Sequence, residues 1–288
     1  MPELPEVEAL TRDLASRLDG RAIAKIHIAA FSALKTFDPP LSAVEGTFVE
    51  GVTRHGKFLD ISTGGLHVIL HLARAGWVRW RDEVPKLPPK PSNKSPMAAR
   101  IVLDDDSGLD ITEAGTKKSL ALYVARSPQD VEGIARLGPD PLAEEFTVDV
   151  LREILHDAGR AQIKGVLRHQ GTIAGIGNAY SDELLHAAKM SPFKPASSLD
   201  DTEVDVLYAA IRDVLGAAVA RADGVAMSEL KGEKKSNLAV HGKTGAKCPV
   251  CGDVVREVSF ADSSLQYCAT CQTGGKPLAD RRTSKFLK

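Results

Sequence analysis

The 288-residue sequence predicts an α+β protein: an N-terminal helix, an antiparallel β-sandwich, a helical region and a cysteine-bearing β-hairpin. Three observations carry that expectation. Short runs of β-formers separated by Gly-bearing turns fill the first half. Apolar periodicity turns helical from Val148 onward, and all four cysteines fall in two C-x-x-C pairs near the C-terminus.

Taken in order, Pro5-Glu6-Val7-Glu8-Ala9-Leu10 runs on to Leu14 and Leu18 at helical spacing and stops at Gly20. Strands are then expected over Ala22 to Ile28, Thr47 to Val52, Phe58 to Ser62, Leu66 to Leu72 and Trp77 to Trp80. Lys86 to Pro96, rich in Pro, Lys and Ser, reads as an exposed loop. Strands resume over Arg100 to Leu103, Leu109 to Thr112 and Leu120 to Val124. Gly138-Pro139-Asp140-Pro141 reads as a linker, followed by helices over Val148 to Asp157, Gln162 to His169, Asn178 to Ala188 and Thr202 to Arg221. The expected division is 1–135 for the sandwich, 136–235 for the helices, 236–272 for the hairpin and 273–288 for a tail.

Composition sets mild limits. With 43% hydrophobic residues the chain can bury a sizeable core, and its formal net charge of −1 advertises no polyanionic partner. The average hides an asymmetry: Val225 to Lys288 holds eleven Lys or Arg against six Asp or Glu, a balance of +5. No apolar run approaches the ~20 residues of a membrane span, and the acidic, proline-bearing start does not resemble a signal peptide. A cytoplasmic, bacterial-type protein without a membrane partner is therefore expected, and a monomer.

The opening Met-Pro-Glu-Leu-Pro-Glu-Val-Glu holds the first candidate chemistry. If Met1 is removed, Pro2 becomes a secondary amine, and an ordinary α-amino group titrates near ~8, far below lysine at ~10.4. Such an amine can add to an electrophilic sugar carbon and form an iminium, with Glu3 and Glu6 near enough in sequence to move protons. The plainer alternative is that Pro2 starts the chain and Pro5 opens a helix.

Cys248-Pro-Val-Cys251 and Cys268-Ala-Thr-Cys271, with 16 residues between the pairs, have the spacing of two zinc knuckles. Four thiolates close a tetrahedral site, so the zinc would be structural; disulfides or redox chemistry are the competing readings. Gln170 to Asn178 carries three glycines between two helices. It could present backbone N–H groups to a phosphate, with Asn178 capping the next helix, or be a simple interhelical turn.

These segments together resemble the formamidopyrimidine-DNA glycosylase and endonuclease VIII family. The likeness rests on the PELPEVE start, Arg54-His55-Gly56-Lys57, His71-Leu72, Leu137 to Leu142, Ile163-Lys164, Ala174 to Asn178, Val240-His241-Gly242 and the cysteine hairpin ending in Gln272. The resemblance implies a bilobed enzyme with a helix-two-turn-helix domain and a zinc finger, one structural Zn2+, and damaged double-stranded DNA as partner. It implies a bifunctional glycosylase and abasic-site lyase. Pro2 would attack C1′ of the damaged nucleotide, while Glu3 would protonate the sugar ring oxygen and Glu6 would support proton transfers. Lys57 would bind a phosphate beside the lesion, although without the resemblance it reads as an ordinary solvated turn lysine. Asn178 with the Gly175 to Gly177 turn would grip another phosphate, with His71 and Lys164 as further DNA contacts.

The chain departs from the family at the groups that replace a flipped-out base. Arg74 stands where much of the family has a methionine wedge, Glu113 to Lys118 replaces an arginine-and-phenylalanine stretch, Ser263 stands for an arginine, and His169 stands for an acid. Arg74, or Lys117 and Lys118, are the candidate substitutes, and an altered lesion preference is expected. Lys276, Arg281, Arg282, Lys285 and Lys288 would add phosphate contacts from the tail, or the tail is simply a disordered basic segment. Two rival classes remain at this stage: a non-enzymatic damaged-DNA binder, and a zinc-ribbon RNA-associated protein that leaves Pro2, Glu3 and Glu6 unexplained.

Overall fold

The computed structural model describes residues 1–92, 94–261 and 263–280, so Arg281, Arg282, Lys285 and Lys288 lie outside the described residues. The chain forms two compact units, Met1–Leu137 with Ala222–Lys231, and Gly138–Arg221 with Gly232–Lys288.

The first unit opens with helix α1 (Leu4–Leu18). Its start is fixed by a capping box in which the Glu3 N–H donates to Glu6 Oε2 at 2.8 Å, and its buried side is Leu4, Val7, Leu10, Leu14 and Leu18. Eight strands follow: β1 (Ala22–Ile28), β2 (Thr47–His55), β3 (Phe58–Thr63), β4 (Leu66–His71), β5 (Gly76–Arg81), β6 (Met97–Leu103), β7 (Gly108–Glu113) and β8 (Ala121–Ala125). They form one antiparallel sheet in the order β5-β7-β6-β1-β2-β3-β4-β8. The expected sandwich is thus a continuous sheet whose halves meet at two residue pairs, Ala22↔Phe48 and Ile23↔Thr47. Both halves contribute to one core, Ile101 and Leu109 from one and Leu59 and Val68 from the other, with α1 packed into it.

The second unit contains α3 (Val148–Asp157), α4 (Ile163–Arg168), α5 (Asn178–Ala187), most of α6 (Asp201–Ala222), β9 (Val255–Ser259), β10 (Ser264–Cys268) and α8 (Ala269–Thr273). Three short helices were not foreseen: α2 (Glu132–Ala135) before the junction, α7 (Leu230–Asn237) after α6, and α8 in the cysteine hairpin. Thr147 caps α3 by accepting from the Val150 N–H at 3.3 Å, and Phe146, Leu151, Leu184 and Leu207 lie in the unit's core.

Two boundaries differ from the sequence expectation. Gly138 to Pro141 is not a loose linker: the Gly138 N–H donates to the Gln170 carbonyl at 2.9 Å and the Ala174 N–H to the Pro139 carbonyl at 3.0 Å. A Cβ on Gly138 would sit 2.5 Å from the Thr172 carbonyl oxygen, so the close approach requires glycine. The expected helical stretch 136–235 is also interrupted, because Ala222, Met227 and Leu230 are buried in the first unit's core. Three apolar residues at irregular spacing in a Gly-bearing segment carry no periodic signal. Among the described residues no helix is long and apolar enough to cross a membrane.

Candidate functional site

In the first unit, Pro2 is buried directly ahead of α1, which begins at Leu4, one residue earlier than the sequence suggests. The capping box places the carboxylates of Glu3 and Glu6 beside it, and both side chains are buried, at 2% and 3% exposure. Lys57 is not the solvated turn lysine that local sequence allows. It lies in the two-residue turn between the paired His55 and Phe58, where Gly56 takes φ 56°, and it is 7% exposed. That hairpin is tied to α1: Arg54 Nε donates to Glu8 Oε2 at 2.8 Å and its guanidinium also reaches the Gly56 carbonyl at 3.2 Å. Burial acts to raise the Glu8 carboxyl, but Arg54 and Arg12 hold it below its ordinary range. The Arg54–Glu8 link was not found by sequence reasoning, which saw Arg54 only as part of a motif.

His71 ends β4 opposite Phe58, with ring centroids 4.6 Å apart. Burial, reinforced by the Lys57 charge, brings its pKa from 6.5 down to about 4. At neutral pH it is therefore an uncharged neighbour of Lys57, not a second phosphate-binding cation. Arg74 is exposed in the turn joining β4 to β5, next to Ala73 at φ 49°. Lys117 is exposed, and the Lys118 ammonium donates to the Glu113 carbonyl.

In the second unit, the structure corrects three details of the glycine turn. Asn178 is the first residue of α5, and Gly177 is its cap. The Asn178 Nδ2 donates to the Ser264 carbonyl on β10 at 2.7 Å, while its Oδ1 is buried without a hydrogen-bond partner. The Gly175 N–H, read from sequence as available to a phosphate, donates to Gln170 Oε1 at 3.0 Å; Gly175 instead supplies the φ 84° corner. Gln170 Nε2 also reaches the Ile176 carbonyl at 2.7 Å, so one side chain shapes the whole turn.

Lys164 departs furthest from expectation. Its Nζ lies 2.6 Å from Asp182 Oδ1, 2.6 Å from Ser181 Oγ and 3.2 Å from the Asn178 carbonyl, and the pair is buried at 6% and 0% exposure. A lysine so enclosed fixes α4 to α5. Asp182 Oδ2 accepts from the Gln266 N–H at 3.1 Å and bonds His241 Nδ1 at 2.7 Å. The Glu183 carboxylate accepts the N–H groups of Ala239, Val240 and His241 at 2.6, 2.9 and 2.8 Å, which ties this segment to α5. Asp182 and Glu183 escaped notice because adjacent acids on a helix ordinarily read as a solvated face.

The four Sγ atoms of Cys248, Cys251, Cys268 and Cys271 all lie within 4.8 Å of one another, with none in a disulfide. A tetrahedral zinc with Zn–S of ~2.3 Å needs S···S of ~3.8 Å, so the donor set and spacing fit one closed structural site. Burial opposes ionisation of Cys248, yet the N–H groups of Cys251 and Val250 and the His186 ring bring its thiol down to about 6. His186 Nε2 is 3.2 Å from that sulfur, an outer partner not foreseen from sequence. Gln272 closes the hairpin: its Oε1 accepts from the Cys268 N–H and its Nε2 donates to the Met190 carbonyl, each at 2.9 Å.

Three family descriptions match successive parts of the chain: the formamidopyrimidine-DNA glycosylase N-terminal domain over residues 1–119, the formamidopyrimidine-DNA glycosylase H2TH domain over 137–229, and the zinc finger found in FPG and IleRS over 245–274. The chain belongs to the formamidopyrimidine-DNA glycosylase family. A formamidopyrimidine-DNA glycosylase of Symbiobacterium thermophilum is 34% identical over 98% of this chain and 93% of its own length. A Mycobacterium tuberculosis formamidopyrimidine-DNA glycosylase-like protein, described as uncharacterized, is 56% identical over 53% of this chain and 94% of its own length. The Lactococcus lactis formamidopyrimidine-DNA glycosylase, bound non-covalently to DNA containing an abasic site, superposes with a TM-score of 0.80 at 27% identity, covering 94% of this chain and 99% of that one. Arg74 and Lys117 are exposed, and Ser263 is half-buried in the turn between β9 and β10.

Proposed function

We propose that this chain is a DNA glycosylase and abasic-site lyase of base-excision repair that acts on damaged double-stranded DNA through the Pro2 amine. The observation that carries the reading is the start of α1, where a capping box buries two carboxylates beside a proline that follows Met1. With Met1 removed, the Pro2 nitrogen adds to C1′ as the bond from C1′ to the base breaks, and the base departs with a proton. Glu3 is the group placed to protonate the sugar ring oxygen as the iminium forms; Glu6, which accepts the Glu3 N–H, holds it and relays protons. The iminium is the electron sink for loss of the 2′ proton and departure of the 3′ phosphate.

A duplex base is unreachable while stacked, so phosphate contacts must offset flipping. Lys57 is the principal candidate, its charge undiluted by the neutral His71. Asn178 and the Gly177 end of α5 offer a second contact, where the helix N-terminus favours an anion. Arg74, the exposed residue in the β4–β5 turn, is the candidate wedge, and its difference from a methionine supports a preference for abasic or already distorted sites. The zinc hairpin supplies structure.

The test is borohydride trapping on abasic-site duplex, after mass spectrometry of the N-terminus, with a Met1-retaining form and Pro2→Gly alongside. A covalent adduct that requires a free residue 2 supports the lyase. Absence of an adduct from correctly trimmed protein would instead leave a damaged-DNA binder.

A further inference from the structure

The first unit carries a pocket of about 410 Å³ that plays no part in the chemistry above, lined by Arg17, Trp77, Arg79, Trp80, Arg81, Ala226, Met227, Ser228 and Lys231. It holds four cations and no acid, together with both tryptophans of the chain. Arg17 sits near the C-terminal end of α1, so at 1.5 Å per residue this wall lies about 20 Å along the helix from Leu4 and Pro2.

The aromatic rings are held in place. Trp77 Nε1 donates to the Met227 carbonyl at 3.0 Å and Trp80 Nε1 to Asp82 Oδ1 at 2.9 Å, which fixes each indole by its edge. The cations lie over their faces: Arg17 and Arg21 are 5.1 and 5.2 Å from the Trp80 centroid, and the Lys231 ammonium is 4.4 Å from that of Trp77.

Half of the pocket's charge is already neutralised and half is not. Arg17 pairs with Asp13 at 3.0 Å and Arg81 with Asp110 at 2.8 Å. Asp110 is the ladder partner of Arg79, but its carboxylate is spent on Arg81 and on Arg100, the latter at 2.7 Å. Among the described residues Arg79 and Lys231 have no carboxylate within 4.0 Å. Burial, and then the neighbouring Arg79 charge, lowers the Lys231 pKa, as expected of an ammonium that lacks an anion.

Two uncompensated cations beside rigid indoles, in a volume suited to a small ligand, match a base-plus-phosphate. We propose that this pocket is a second nucleotide-binding site, in which Arg79 and Lys231 take the phosphate and the Trp80–Arg17 wall stacks the base. The nucleotide comes either from a single-stranded stretch of DNA or from the free mononucleotide pool.

Because both tryptophans line the pocket, intrinsic tryptophan emission reports its occupancy without a label. The full-length protein is titrated with oligo(dT), with dTMP and with inorganic phosphate. Saturable quenching by oligo(dT) alone assigns the site to single strands, and quenching by both assigns it to any nucleotide; inorganic phosphate is expected to leave the emission unchanged. The Arg79→Gln/Lys231→Gln variant is expected to lose at least tenfold in affinity and to flatten the oligo(dT) salt slope by about 1.4, the value for two single-strand phosphate contacts. Lys231→Arg is expected to keep binding, and borohydride trapping on abasic duplex is expected to be unchanged in all variants. No quenching by either nucleotide source, or quenching undiminished in the double variant, overturns the proposal. Nucleotide quenching without a borohydride adduct would sink the lyase reading and leave this one standing.

Discussion

Lys164→Met separates a structural lysine from a DNA contact. The substitution keeps the length of the side chain and removes an ammonium that lies 2.6 Å from Asp182 Oδ1 and 2.6 Å from Ser181 Oγ, in a pair 6% and 0% exposed. Removing one partner of such a buried pair costs about 3–5 kcal/mol, chiefly because the other charge is left uncompensated. Asp182 retains the Gln266 N–H and the His241 Nδ1 hydrogen bond, which places the cost near the lower figure. At roughly 2–4 °C per kcal/mol for 150–250 residues, the melting temperature should fall by about 6–12 °C. Circular dichroism melts supply the measurement, with abasic-duplex affinity measured across salt well below the transition. The expected pattern is a lower melting temperature and an unaltered salt slope. A wild-type melt combined with a slope reduced by about 0.9 would show that Lys164 holds a phosphate and that the buried-pair argument is wrong.

Two further outcomes follow from the titrating groups and the cysteine site. His71 has a folded pKa of about 4 against 6.5, so on acidification the unfolded chain takes up its proton first; stability is full above about 6.5 and lost as pH falls toward 4, by roughly 3 kcal/mol. The difference in unfolding free energy between the parent and His71→Gln should therefore change across pH 6.5 to 4, and a pH-independent difference would refute the assignment. Chelation of the cysteine site should release one zinc per chain and unfold the hairpin, since metal binding in such knuckles contributes on the order of 10 kcal/mol; elemental analysis finding no bound metal, or unchanged amide exchange in 245–274 after chelation, would contradict it.

The class, the family and the four-cysteine cluster are legible in the sequence alone. Each of these rests on a local pattern: period-2 and period-3.6 apolar residues, C-x-x-C spacing, and contiguous motifs such as the PELPEVE start. Strand positions came out within a few residues because turn glycines such as Gly56 mark the hairpins directly. What the charged residues do depends on their three-dimensional neighbours. Lys57 and Lys164 look alike in sequence, one after a glycine and one in a helix, and both are buried, but Lys164 meets Asp182 from a helix 18 positions on. Likewise, Ala222–Lys231 carries no periodicity, yet it returns to the first unit and supplies Met227 and Lys231 to the two tryptophans. Burial and ion pairing depend on residues far apart in the chain, and no short-range pattern encodes them.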